Sequence, residues 1–134
     1  MHIDDYDKNY TKFHVKLITA FIHQVAQQPP FCLQDCSQND QEFLESLQQL
    51  NIVGGHEKLI QGQELLCKIV ASYPHLMQIL PRDLLWFFGG DCLHYMPDDE
   101  ISLFQSLDEQ RQLAKEINAE FNYETARALV FKFH

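Results

Sequence analysis

Residues 81–101, PRDLLWFFGGDCLHYMPDDEI, hold the only Trp of the chain with two prolines, two glycines, a cysteine and a histidine. Pro81 suits the first position of a helix, because its fixed φ fits the helix and its missing N–H would be unpaired there anyway. The apolar run from Leu84 to Phe88 has no polar break, which is typical of a helix buried on most sides. These features predict a short, buried central helix.

The end of this helix is marked by Gly89 and Gly90, which can adopt the positive φ of a left-handed cap. Pro97 then restarts the chain, and the acids Asp98 and Asp99 favour a new helix N-terminus. We interpret residues 89–97 as a rigid corner beside the central helix. The predicted structural hub comprises Trp86, Phe87, Phe88, Gly89, Gly90 and Pro97.

Length and composition indicate an ordinary globular chain. Its 134 residues fit one domain, and 46% of them are hydrophobic while 22% are charged. The formal net charge of −9 disfavours binding to nucleic acid phosphates and to anionic membrane surfaces. We expect a single domain, residues 1–134, that has neither nucleic acid nor a membrane as its partner.

The chain carries no targeting signal that the sequence reveals. No segment approaches the roughly 20 apolar residues that span a bilayer. The first residues, MHIDDYD, lack the basic start and apolar middle of a signal peptide. We therefore expect a cytoplasmic protein with its four cysteines reduced.

Helical periodicity dominates the rest of the chain. Apolar residues recur three and four apart from Tyr10 to Val25, which predicts a first helix that ends before Pro29. Further helices are predicted to start after Ser37 or Asn39 and end at Val53, to run from His56 to Ser72 and from His75 to Leu80, and to follow Asn122. After Pro97 the pattern predicts either one long helix or two helices joined near Asp108, with the break near Leu107. No β-branched run alternates with a period of two. The predicted fold is all-α: a single-domain helical bundle of about six or seven helices around the buried central helix.

Gly62 lies inside the predicted third helix. A helical glycine lowers stability by about 1 kcal/mol relative to alanine, so its presence there needs a reason. A close approach of a second helix supplies one, and we predict such a crossing at Gly62.

The corner offers a candidate catalytic site. Asp91, Cys92 and His94 are the residue types of a thiol nucleophile, its base and an orienting carboxylate. However, catalytic partners usually come from distant parts of a chain. Four other histidines could serve as the base: His14, His23, His56 and His75. In the structural alternative, Asp91 caps the turn and His94 is hydrogen-bonded to a carbonyl.

A metal site is a second hypothesis. Cys32 and Cys36 have the spacing of one half of some zinc sites, and Cys92 and His94 could supply the other half. Since Cys-x-His is not a usual half-site, buried free thiols are the preferred interpretation. The chain contains neither a Glu-x-x-His motif nor a P-loop. No cofactor is predicted.

Residues 84–98, LLWFFGGDCLHYMPD, resemble a segment of a small family of uncharacterised proteins from Pseudomonas and related γ-proteobacteria. This resemblance implies a bacterial, cytoplasmic accessory protein. It brings with it no activity, no cofactor and no catalytic residue.

The expected function is that of a non-catalytic protein-interaction or regulatory module. Such a module would bury an apolar patch, rimmed by acids, against a partner helix or against a second copy of the chain in a homodimer. The alternative is a small thiol-dependent enzyme or metal-binding protein with its site at residues 91–98. A third interpretation is a pocket between helices for an apolar small ligand.

Overall fold

The structure is a computed structural model that describes residues 1–50, 52 and 55–132. Within these ranges the chain forms six α-helices and two short 3₁₀ segments, and it contains no strand. The α-helices are α1 (Ile3–Ala26), α2 (Gln38–Gln48), α3 (His56–Ser72), α4 (Arg82–Phe88), α5 (Asp98–Glu116) and α6 (Tyr123–Phe131), and the 3₁₀ segments are Pro74–Gln78 and Gly90–Tyr95. The predicted all-α helical bundle is confirmed. No helix in the described ranges has both the length and the apolar character needed to cross a bilayer.

Local sequence signals set several helix ends. Ser37 accepts a hydrogen bond of 3.1 Å from the backbone N–H of Asp40 and so caps α2. Asn122 accepts one of 2.9 Å from the N–H of Thr125 and caps α6. Short polar side chains stabilise helix starts in this way because they satisfy N–H groups that have no partner within the helix. Both helices begin where their cap residues predict, and α3 has the predicted bounds.

The structure decides or corrects the bounds of three predicted segments. α2 ends at Gln48, because the chain tightens into a turn there, and the predicted end at Val53 lies outside the described residues. Of the two possibilities left open after Pro97, the structure has one helix, because α5 continues without a break through the buried Leu107. The short helix between Pro74 and Pro81 is a 3₁₀ helix that spans Pro74–Gln78 instead of residues 75–80.

α4 lies at the centre of the bundle. It contacts α1, α3 and α5, and its Leu84 and Leu85 are fully buried. α3 crosses it at Gly62, where a Cβ atom would overlap the ring of Phe88. The close crossing predicted at Gly62 is therefore confirmed, and its cause is the aromatic side chain of the central helix.

Two members of the apolar run, Trp86 and Phe87, are partly buried and pack against the core. The Trp86 indole Nε1–H donates a hydrogen bond of 2.9 Å to Asp108 Oδ2 on α5. An indole needs such a partner, which a wholly apolar interior does not offer. Phe87 forms part of the floor of a surface depression. The central helix thus also contributes to the surface.

Candidate functional site

The corner after α4 does not assemble the predicted thiol site. Cys92 is fully buried, and its Sγ lies 3.9 Å from the carbonyl oxygen of Gln63. The side chains of Asp91 and His94 are 87% and 80% exposed, with 3.9 Å between Asp91 Oδ1 and His94 Nε2. The structure therefore separates the thiol from the two groups that were predicted to activate it.

The environment of Cys92 also opposes thiol chemistry. Burial, with smaller contributions from Cys67 and Asp91, raises the pKa of the Cys92 thiol to about 12. A nucleophilic cysteine needs the opposite shift, because the thiolate is the reactive form. The structural alternative, in which Asp91 caps the turn and His94 is hydrogen-bonded to a carbonyl, is also wrong. The 3₁₀ helix directs both side chains to solvent, so Asp91 does not cap it and His94 has no bond to a carbonyl.

The predicted metal ligands are not brought together either. Cys32 is exposed, Cys36 is half-buried and Cys92 is buried, and all three are free thiols. Across the ranges that the structure describes, no three His, Cys, Asp or Glu side chains are grouped so that they could hold a metal ion. His94, the fourth candidate ligand, is exposed at the corner.

The four alternative histidines occupy different environments. His14 is fully buried, and its Nδ1 lies 2.7 Å from the carbonyl oxygen of Tyr10. His23, His56 and His75 are exposed. Of these, His56 lines a depression on the described surface.

That depression lies between α1 and the start of α3, and its volume is about 900 Å³. Its floor is apolar, with Phe87 of the central helix among its members, and its rim carries charged side chains. The lining residues are Asp7, Lys8, Tyr10, Thr11, Lys12, Val15, Ile52, Gly55, His56, Leu59, Phe87 and Arg111.

A second depression of about 270 Å³ continues along α1 towards the end of α2. It is lined by Val15, Ile18, Thr19, Ile22, Gln48, Leu50 and Ile52. The two depressions are adjacent, since Val15 and Ile52 line both, and we refer to them together as the α1 trough. The trough follows α1 from Asp7 to Ile22.

Three lysines recur every fourth residue on α1 and form a row, of which the first two lie on one rim of the α1 trough. Lys8 and Lys12 line the first depression, whereas Lys16 lies with Lys12 at a separate depression beside Asn122 and Glu124. None of the three forms an ion pair with any residue that the structure describes. All three arginines of the chain do form ion pairs. In a chain with a net charge of −9, this row is a local positive patch.

Arg111 is fixed at the polar end of the α1 trough. Its Nη1 donates a hydrogen bond of 3.0 Å to Asp7 Oδ1, and its guanidinium carbon lies 3.8 Å from the centre of the Tyr10 ring. Lys115 also donates to Asp7, at 3.0 Å from Oδ2. The charge of Arg111 is therefore already partnered, whereas the lysine row is not.

A cluster of rings supports the floor of the α1 trough from below. His14 stacks on Phe87 with 4.6 Å between ring centres, and Tyr123 meets Tyr10 edge-on at 5.2 Å. Burial lowers the pKa of His14 to about 4 and raises the pKa of both tyrosines above the usual value. The cluster is therefore neutral near pH 7, and its close ring contacts give the trough a rigid base.

Sequence reasoning did not identify the lysine row as part of a site. It predicted an apolar patch rimmed by acids instead of one bordered by lysines. The available signal was the regular four-residue spacing of three lysines in an acidic chain. The α1 trough itself depends on where α3 begins relative to α1, and hydrophobic periodicity does not encode that arrangement.

Comparison with known proteins identifies a family and no function. A family described as PA2817-like, which takes its name from a Pseudomonas aeruginosa locus, matches residues 6–133 of the chain. No curated protein and no solved structure matches the chain. The match agrees with the expected Pseudomonas-type family, and it covers far more of the chain than residues 84–98.

Proposed function

The chain belongs to the PA2817-like family, and on that premise we propose that it is a non-catalytic cytoplasmic protein-interaction or regulatory module that binds its partner in the α1 trough. The proposed occupant is a helical segment of another protein. From Asp7 to Ile22 the trough follows about 24 Å of helix, at 1.5 Å per residue. That length matches about four turns of an amphipathic helix docked by its apolar face.

The observation that carries this proposal is that two adjacent depressions, both lined by Val15 and Ile52, lie in succession along α1. A small-molecule site encloses most of its ligand. The α1 trough is open along its length, with Lys8, Lys12 and His56 exposed on its rim. A helix can cover such an open surface because it has a polar outer face of its own.

The residue spacing on α1 also favours a helical occupant. Lys8, Lys12, Val15, Thr19 and Ile22 are separated by four, three, four and three residues. This is the spacing with which one helix meets another in a coiled coil. Val15 and Ile22 are half-buried apolar residues in this seam and can receive side chains of a second helix.

The alternative functions have less support. A thiol enzyme would need an accessible, acidic Cys92, whereas this residue is buried with a raised pKa. A homodimer formed by the trough against itself would bring two concave, lysine-rimmed surfaces together. Self-association would instead have to use another surface, such as the one that includes Leu113 of α5 and Ile117 just after its end, which are 56% and 65% exposed.

Photocrosslinking in the native cells tests this proposal. Thr19 is exposed and lines the α1 trough, so it is replaced by p-benzoylphenylalanine; Gln105, exposed on α5, is the control position. We expect Thr19 to crosslink to a helical segment of one partner protein, and the crosslink to disappear when Val15→Glu is added. The proposal fails if Gln105 gives the same crosslink, or if Thr19 crosslinks only to a second copy of the chain.

A further inference from the structure

We propose that the helix bound in the α1 trough is acidic, and that its carboxylates lie against Lys8 and Lys12. This inference rests on the proposed function, because it specifies the partner of the same surface. The observation behind it is that these two lysines line the apolar depression and form no ion pair with any residue that the structure describes.

Positive charge is scarce in this chain, because acidic residues outnumber lysines and arginines by 19 to 10. At the α1 trough, Arg111 and the nearby Lys115 already pair with Asp7, whereas Lys8 and Lys12 form no ion pair with a described residue. Like charges four residues apart on a helix repel one another. A partner that supplies carboxylates would therefore relieve this repulsion on binding.

The spacing of Lys8 and Lys12 fits a helical partner. The two lysines are four residues apart, so their Cα atoms rise about 6 Å from one to the next along α1. A helix that lies along the α1 trough with Glu or Asp at a similar interval on one flank can place a carboxylate beside each of them. The methylene stems of the lysines can cover apolar surface while their ammonium groups reach the rim.

We expect the charged side chains on the rim to affect the choice of partner and the salt dependence of binding more than the total binding affinity. Exposed charges steer association and exclude partners of like charge, and salt screens them. Arg111 contributes little to this selection, because Asp7 already neutralises it. Lys8 and Lys12 are therefore the part of the α1 trough that distinguishes an acidic helix from a neutral one.

The experiment compares three synthetic helical peptides of about 18 residues, a length that covers the α1 trough. All three carry leucines at alternating spacings of three and four, and they differ only in one flank, which holds Glu, Gln or Lys. Binding to the full chain is measured by fluorescence anisotropy. We expect the Glu peptide to bind about tenfold more tightly than the Gln peptide, and the Lys peptide to bind most weakly. The difference should disappear at about 1 M salt.

Variants assign this preference to the lysine row. Lys12→Glu should remove the advantage of the Glu peptide, whereas Lys68→Glu, the same charge change outside the α1 trough, should keep it. Val15→Glu should weaken all three peptides, because it places a charge on the apolar floor.

The outcomes separate the two proposals. If the Glu and Gln peptides bind equally tightly, and Val15→Glu abolishes the binding of both, the proposal of an acidic partner is wrong. The proposal that the α1 trough is a binding surface then still holds. Absence of binding by every peptide, or binding that Val15→Glu leaves unchanged, overturns both. Dodecanoate is added as a small amphiphilic competitor. If dodecanoate binds in the trough while no peptide does, the site takes small molecules and both proposals fall.

Discussion

Arg127 donates hydrogen bonds to both carboxylate oxygens of Asp83, from Nε to Oδ2 at 2.5 Å and from Nη2 to Oδ1 at 2.8 Å. The pair ties α6 to the start of the central helix. The side chain of Asp83 is 3% exposed, and that of Arg127 is 34% exposed. Asp83 lies in the first turn of α4, and the local sequence does not reveal its distant partner.

This ion pair should make a measurable contribution to stability. Arg127→Met is expected to lower the free energy of unfolding by about 2–3 kcal/mol, because it leaves the buried Asp83 carboxylate without its partner. Lys115→Met, which breaks an exposed pair with Asp7, should cost less than about 1 kcal/mol. Urea denaturation measures both values, and equal losses for the two variants would contradict the prediction.

The contact between Gly62 and Phe88 gives a second stability prediction. Gly62→Ala should destabilise the protein by about 1–3 kcal/mol, although alanine is the better helix former, because its Cβ would overlap the Phe88 ring. In a Phe88→Leu background, Gly62→Ala should lower the free energy of unfolding by a smaller amount, because the leucine side chain leaves room for the added Cβ atom. Thermal unfolding of the four proteins in this double-mutant cycle checks the coupling; additive effects would show that the ring is not the cause.

His14 predicts a pH dependence of stability. Its folded-state pKa of about 4 lies below the ordinary value of 6.5, so the unfolded chain binds more protons between these two pH values. The contribution of the neutral His14 ring to the free energy of unfolding is complete above pH 6.5 and is lost as the pH falls towards 4. The shift corresponds to roughly 3 kcal/mol.

Replacement of His14 tests this linkage. His14→Phe keeps a ring against Phe87 and removes the titrating group, so its stability relative to the original protein should improve as the pH falls from about 7 to about 4. Denaturant unfolding across this range gives the comparison. His94→Gln, at an exposed position, is the control and should leave the pH dependence unchanged. Parallel pH curves for His14→Phe and the original protein would show that His14 does not carry the effect.

The four free cysteines should differ in their rates of alkylation. Cys32 is exposed and should react first with iodoacetamide, while Cys92, which is buried with a raised pKa, should react last. Mass spectrometry of the native protein over time gives the order. Fast, pH-dependent modification of Cys92 would restore the hypothesis of a thiol enzyme at the corner.

Much of the fold could be predicted because its determinants are local. Gly55 and Pro74 bracket α3, and Ser37 and Asn122 cap their helices, so these helix starts follow from short-range chemistry. The close crossing at Gly62 was also predictable, since an interior helical glycine needs a tertiary reason. The partial exposure of Trp86 could not be predicted, because it depends on which side of α4 is covered by other helices.

The candidate site could be predicted only in part, for the same reason. Residue types at the corner suggested chemistry, but whether Cys92 and His94 face each other depends on the 3₁₀ turn that separates them. The α1 trough arises from the relative placement of α1, α2 and α3, which no single segment encodes. Only the spacing of Lys8 and Lys12 was visible in advance, and its meaning required knowledge of the apolar floor beside it.

The most direct measurement of the central claim is the change in backbone amide chemical shifts when the Glu peptide is added to the full chain. We predict that the changes concentrate along the α1 trough, at Lys8, Val15, Thr19 and Ile22, and that they are absent in Val15→Glu. Changes centred instead on the exposed surface around Leu113 of α5 would contradict the assignment of the α1 trough as the binding surface.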